Sequence, residues 1–297
     1  MMLRRLAVAL LSVALLLPPH LAHAGPALVF EPYNGTVFYA EDPDVPWFPA
    51  SLTKLMTAYI AFSDIRAGRV TMDTMISCSA HAQSQAPTKL GLPVGGELTL
   101  EIAIKIIIVK SANDVAVMVA EALGGGSEQA FVVRMNAAAQ HLGMTHTHFA
   151  NANGLPNEDQ VTTARDLGRL ARALILQFPE YADIFKLRHV KVGDKILRTH
   201  NGLLRDFEGA DGMKTGFICD SGFNIVASAT RDGRRLVAVV LGEVSVPARR
   251  DRVTDLLENG FKRYFWKSLF GTTIDGLAMQ ASLSDQPAHL RREICGG

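Results

Sequence analysis

The chain has 297 residues, 48% of them hydrophobic, enough apolar side chain to bury a core and to exclude a disordered chain. Its 30 lysines and arginines balance 29 aspartates and glutamates, so no field of one sign draws it to nucleic acid or to an anionic membrane. Partner choice therefore falls to a local site.

Residues 1–24 read as an export signal. Arg4 and Arg5 precede an apolar stretch over residues 6–17, and Ala22-His23-Ala24 supplies small residues for cleavage, so the mature chain is expected to start near Gly25. The apolar run is shorter than the roughly 20 residues that cross a bilayer as a helix. Export implies an oxidising periplasm or cell envelope, where Cys78, Cys219 and Cys295 allow one bridge and one leftover thiol. Their spacing names no pair and holds no Cys-Xaa-Xaa-Cys, so all three are taken as incidental, and thiol redox chemistry or a zinc knuckle is set aside.

Residues 27–31 and 36–40 are extended apolar and aromatic runs joined through Asn34-Gly35, which predicts an opening hairpin. A helix is expected from Ser51, with Leu52, Leu55, Met56, Tyr59 and Ile60 at helical spacing and Gly68 as terminator. Others follow over residues 99–109, from an Asn113 or Asp114 cap to Leu123, over residues 131–142, and from Thr163 through Ile175. The extended pattern returns at residues 212–217, 222–230 and 235–241, the last two flanking Asp232-Gly233. Both chain ends thus supply about five antiparallel strands around an inserted helical lobe, an α+β arrangement.

A helix over residues 249–266 is expected to close the domain. The aromatic and basic stretch over residues 261–270 is expected to pack into the core, with peripheral membrane contact as the alternative. Residues 25–266 then form one catalytic domain. Residues 267–297 fall below the roughly 40 at which independent folding becomes practicable and form a short extension. His146-Thr147-His148 invites a metal, but no third ligand and no His-Glu-Xaa-Xaa-His accompanies it. No metal or cofactor is called for.

Three short motifs carry the chemistry. In Ser51-Leu52-Thr53-Lys54, at a helix start, the serine and lysine fall on one face a turn apart, so a lysine of lowered pKa has the reach to take the serine proton. Ser111-Ala112-Asn113 lies between two helices, where by itself it reads as a helix cap. Lys214-Thr215-Gly216 lies on a strand whose glycine admits close backbone approach. Each motif alone recurs by chance. Their order, each in the element the chemistry needs, points to a serine acyl-transfer enzyme.

With those motifs in place, the chain resembles the serine D-alanyl-D-alanine carboxypeptidases among the low-molecular-mass penicillin-binding proteins. The likeness runs over residues 27–266 and includes Pro49-Ala50-Ser51-Leu52-Thr53-Lys54-Leu55-Met56-Thr57, Val109-Lys110-Ser111-Ala112-Asn113-Asp114, Asn153-Gly154-Leu155-Pro156, Thr163-Ala164-Arg165-Asp166-Leu167 and Asp211-Gly212-Met213-Lys214-Thr215-Gly216. It implies a β-lactamase/transpeptidase-like fold, a five-stranded antiparallel sheet flanked by helices with an inserted helical lobe. It also implies a peptidoglycan pentapeptide ending in D-alanyl-D-alanine as substrate and β-lactams as inhibitors.

The same resemblance implies roles for single residues. Ser51 is the nucleophile and Lys54 its base, with Ser111 and Lys214 relaying the proton to the departing D-alanine. Asn113 holds the substrate amide. Thr215 and Arg249 meet the terminal carboxylate, and the amides of Ser51 and Phe217, next to Gly216, form the oxyanion hole. His200 stands where some members carry arginine. Many relatives add a small β domain and an amphipathic membrane helix, for which this chain is expected to be too short.

A serine β-lactamase would need a water-activating group, and no glutamate here sits in the Glu-Xaa-Xaa-Leu-Asn context that supplies one. A D,D-endopeptidase of the same family is the nearest alternative, and a non-catalytic peptidoglycan-binding homologue is the alternative outside enzymology.

Overall fold

The computed structural model describes residues 25–280, 284 and 286–296; the expected export signal lies outside them. β1 (Ala27–Phe30) and β2 (Val37–Glu41) form the opening hairpin, with Gly35 at φ +79° in its turn. A 3-10 turn, Ala50–Thr53, then runs into α1 (Lys54–Arg66). Next, β3 (Met75–Ser77) and β4 (Glu97–Thr99) pair on either side of α2 (Ala80–Ser84).

The inserted lobe is α3 (Leu100–Val109), α4 (Asn113–Leu123), α5 (Glu128–His141) and α6 (Ala164–Gln177), followed by the short α7 (Ala182–Phe185). A small hairpin of β5 (His189–Val192) and β6 (Lys195–Arg198) and the one-turn α8 (Leu203–Asp206) lead back to the sheet. Three long strands, β7 (Ala210–Ile218), β8 (Gly222–Arg231) and β9 (Arg234–Glu243), complete it in the order β2-β1-β9-β8-β7, all antiparallel. The chain ends with α9 (Val246–Lys262), α10 (Tyr264–Phe270) and α11 (Arg291–Cys295).

Period-two alternation explains why the sheet stands between two helical layers. Leu28, Phe30, Val226, Val237, Val239 and Leu241 join the core under the helical lobe, while Ala27, Val29, Ile225, Ala227, Ala238 and Val240 pack with Val253 and Leu257 of α9. Burial on both faces is why these strands read as unbroken apolar runs. Behind them α4 is buried on every side from Asn113 to Ala120, as a helix apolar all round must be.

Four expectations need correcting. Ser51 lies in the 3-10 turn, and the α-helix itself starts at Lys54. α4 has no side-chain cap: Asn113 turns to Lys54, and the Asp114 carboxylate accepts from Leu90 N and Gly91 N of a distant loop. The closing helix breaks at Arg263, so Tyr264 still packs on Phe38 (centroids 5.2 Å apart) but Phe265, Trp266, Leu269 and Phe270 stand exposed instead of in the core. The cysteines are not all incidental, since Cys219 bonds Cys295 across 76 residues while Cys78 is free and buried. β3 to β6, of three or four residues each, are too short to show an alternation in the sequence.

The chain after α10 lies against the body in two places. Ile274 is buried, and the carbonyls of Ile274, Leu277 and Ala278 accept hydrogen bonds from Arg165, whose guanidinium also grips Asp44 in a buried bidentate pair (2.6 and 2.7 Å). Residues 286–296 return to the far end of β7, where the disulfide holds them.

Candidate active site

Two glycines let three segments meet. Gly154, at φ +83°, lies so close to the Ala50 carbonyl that a Cβ would stand 1.9 Å from its oxygen. A Cβ on Gly216 would come within 3.2 Å of Ser51 N, so β7, the free edge of the sheet, runs beside the Ser51 turn. Ala50 (φ +47°) and Ser111 (φ +61°) occupy the left-handed region that L side chains disfavour, a local cost of the kind that clusters at functional sites.

Lys54 is fully buried, and its Nζ lies 3.0 Å from Ser51 Oγ. It also donates to Asn113 Oδ1 (2.7 Å) and to the Asn153 carbonyl. Burial strips water from an ammonium here and the Lys214 cation repels it; together they hold the amine well below the usual lysine range, against a smaller opposing pull from Asp114. A neutral amine has two N–H groups and one lone pair. Asn113 and Asn153 take the two N–H groups, which leaves the lone pair for the Ser51 hydroxyl. Asn153 is the member the sequence did not assign, because its contribution is a backbone carbonyl; the neighbouring Gly154 was the available signal.

Lys214, also buried, donates to Ser111 Oγ (2.9 Å) and to the Thr215 carbonyl (2.7 Å). Burial first and the Arg249 guanidinium second bring it down to about 7. Asn113 is fixed from behind by a bond from its Nδ2 to the Ala86 carbonyl (2.9 Å). Ser51, Lys54 and Asn113 thus form one hydrogen-bonded group and Ser111 with Lys214 a second, each built on a buried amine of lowered pKa and coupled through the repulsion between the two amines.

The two groups line a cleft of about 620 Å³ whose walls include Ser51, Ser111, Asn113, Thr215, Gly216 and Phe217. Arg249 is also on its wall and only 6% exposed; burial lowers its pKa to about 10, and its Nε is buried without a hydrogen-bond partner among the described residues. Phe217 is partly exposed and stacks on Phe223, centroids 4.3 Å apart. His200 lines the cleft too, and burial with the cations Lys214, Lys110 and Arg249 lowers its pKa. The described wall carries arginine and no carboxylate, so its charge suits an anion.

The D-alanyl-D-alanine carboxypeptidase family (peptidase family S11) matches residues 17–245. D-alanyl-D-alanine carboxypeptidase DacD of Escherichia coli (strain K12) is 34% identical over 254 residues, 83% of this chain; the chain spans 65%, less than two thirds, of that relative's length. The structure of the D-alanyl-D-alanine carboxypeptidase DacD from Francisella tularensis is similar with a TM-score of 0.77 at 32% identity, covering 80% of this chain and 70% of that one. Penicillin-Binding Protein D2 from Listeria monocytogenes, in its cefotaxime-bound form, is similar with a TM-score of 0.73 at 28% identity, covering 80% and 97%. The fold is therefore that of the penicillin-binding proteins.

The buried lysines make stability depend on pH. Between about 7 and the ordinary 10.5 the unfolded chain binds the Lys214 proton and the folded one does not, so stability rises with pH across that window. Lys214→Met should be more stable than the wild type near pH 7 and should show a smaller gain on raising the pH to about 9.5, measured by urea unfolding at both. Equal gains in the two proteins would mean that Lys214 titrates normally.

Proposed function

We infer that this chain, which belongs to the D-alanyl-D-alanine carboxypeptidase family, removes the terminal D-alanine from peptidoglycan stem peptides through an acyl-enzyme on Ser51. The observation that carries this reading is the Lys54 amine, buried 3.0 Å from Ser51 Oγ with its pKa held well below the usual lysine range by that burial and by the Lys214 cation. Lys54 takes the hydroxyl proton while Oγ attacks the carbonyl carbon of the penultimate D-alanine. The oxyanion is received by the backbone N–H groups of Ser51 and Phe217.

Collapse of the intermediate breaks the peptide C–N bond, and the proton that Lys54 took passes by way of Lys214 and Ser111 to the departing amine, which leaves Lys54 neutral again. Water then attacks the ester with Lys54 as base, and Ser51 is regenerated. Asn113 positions the substrate amide. A β-lactam acylates the same oxygen, but its ring opens without releasing a leaving group from the site, so the ester persists.

Arg249 supports a carboxypeptidase over an endopeptidase. A buried guanidinium with an unpartnered Nε, on the same cleft wall as Thr215, is suited to a free terminal carboxylate, which an internal peptide bond lacks. The complete set of Ser51, Lys54, Ser111, Asn113 and Lys214 supports catalysis over binding alone. Residues 1–24 support export to the periplasm or cell envelope. Phe265, Trp266, Leu269 and Phe270, exposed beside Lys262, Arg263 and Lys267, support peripheral contact with a membrane surface.

Ser51→Ala should abolish D-alanine release from a pentapeptide and labelling by a fluorescent penicillin while the circular dichroism spectrum is unchanged. Either activity surviving in the folded variant removes Ser51 as nucleophile. Arg249→Ala should slow hydrolysis of a D-alanyl-D-alanine peptide about ten- to hundredfold, the value of one hydrogen bond to a charged group. A matched substrate with an amidated terminus should be nearly unaffected, and equal losses on both would make Arg249 structural.

A further inference from the structure

The cleft has a wall that the mechanism does not use. Residues 286–296 come back to the end of β7, and Arg291 lines the cleft beside Ile218 and Cys219. Several contacts hold this strap, among them the ion pairs of His289 and Arg291 with Asp220. Cys219 bonds Cys295, Leu290 N donates to the Asp220 carbonyl (3.0 Å), and His289 packs on Phe48 with centroids 5.1 Å apart. Asp220 orients Arg291 through Nε (3.3 Å) and Nη2 (2.6 Å), an ion pair that does not engage Nη1.

The direction of a bound peptide follows from the mechanism above, on which this inference rests. With the terminal carboxylate at Thr215 and Arg249 and the reacting carbonyl at the Phe217 amide, the residues before the scissile bond run along the free edge of β7 toward Cys219. An extended peptide pairs with such an edge through its main chain. Cys219 lies three residues beyond Gly216, on the order of 10 Å along a strand. The group met there is the side chain of the residue preceding the two D-alanines.

We propose that the disulfide-fastened strap is a specificity element and that Arg291 selects substrates carrying a carboxylate on the side chain of that preceding residue. The wall of the cleft includes both Arg249 and Arg291 and no carboxylate, while Asp220 behind Arg291 offsets part of its charge, so the cleft favours a peptide with a second anionic group. Because Arg291 is more than half exposed, its side chain having a relative accessibility of 56%, the selection is modest in size.

The test uses two peptides ending in D-alanyl-D-alanine whose preceding residue is 2-aminoadipate or its side-chain amide. The wild type should prefer the carboxylate, and Arg291→Gln should lower kcat/KM for it about three- to tenfold while changing the amide less than about twofold. Arg291→Lys should restore most of the preference. Cys295→Ser, which frees the strap without touching the guanidinium, should give the same selective loss, and benzylpenicillin acylation should be unchanged in all three variants. No preference in the wild type, or equal effects on both peptides, overturns the role of Arg291 alone. A wild type that is acylated by penicillin but hydrolyses neither peptide overturns the carboxypeptidase reading, and this proposal with it.

Discussion

The structure depends on one constraint, that the Lys54 amine sits in a dry pocket beside another buried cation. A lysine there cannot keep its proton as it would in water, because nothing in the pocket replaces the lost hydration and Lys214 repels the charge. The surroundings accept the neutral amine. Asn113 from α4 and the Asn153 carbonyl take its two N–H groups, and Ser51 from the turn before α1 faces its lone pair. An ordinary side chain is thereby brought toward the low pKa that the base proposed for Ser51 needs.

The fold supplies this pocket by bringing together segments far apart in sequence. The N-terminal hairpin and the three late strands make one sheet, so β7 carries Lys214 to the free edge beside the Ser51 turn. The inserted lobe places Ser111 and Asn113 opposite, at the start of a helix that is buried all round. The same burial keeps water away from the amines and brings Arg249 near enough to lower Lys214. Sheet edge, buried helix and dry cleft are one requirement met by different parts.

Most members of the candidate site were legible in the sequence because each motif is local. Ser51 and Lys54 are one turn apart, Ser111 and Asn113 flank a helix start, and Lys214 precedes a glycine on a strand. The strands were legible through apolar runs and the Asn34-Gly35 and Asp232-Gly233 turns. Long-range partners were not. Asn113 and Asp114 read as caps because the loop that Asp114 binds, at Leu90 and Gly91, is over twenty residues away. Asn153 acts through a carbonyl every residue has. The Cys219–Cys295 bridge spans 76 residues with no local pattern, and the exposure of α10 follows from a helix break at Arg263 that periodicity does not show.

Direct titration of the buried amine is the measurement closest to the central claim. In protein carrying [13Cε]-lysine, one resonance assigned to Lys54 by its loss in Lys54→Arg should titrate well below the surface lysines, and it should move back toward them in Lys214→Met. If Lys54 titrates with the surface lysines near their ordinary value, it is protonated at neutral pH and the base assigned to Ser51 is wrong.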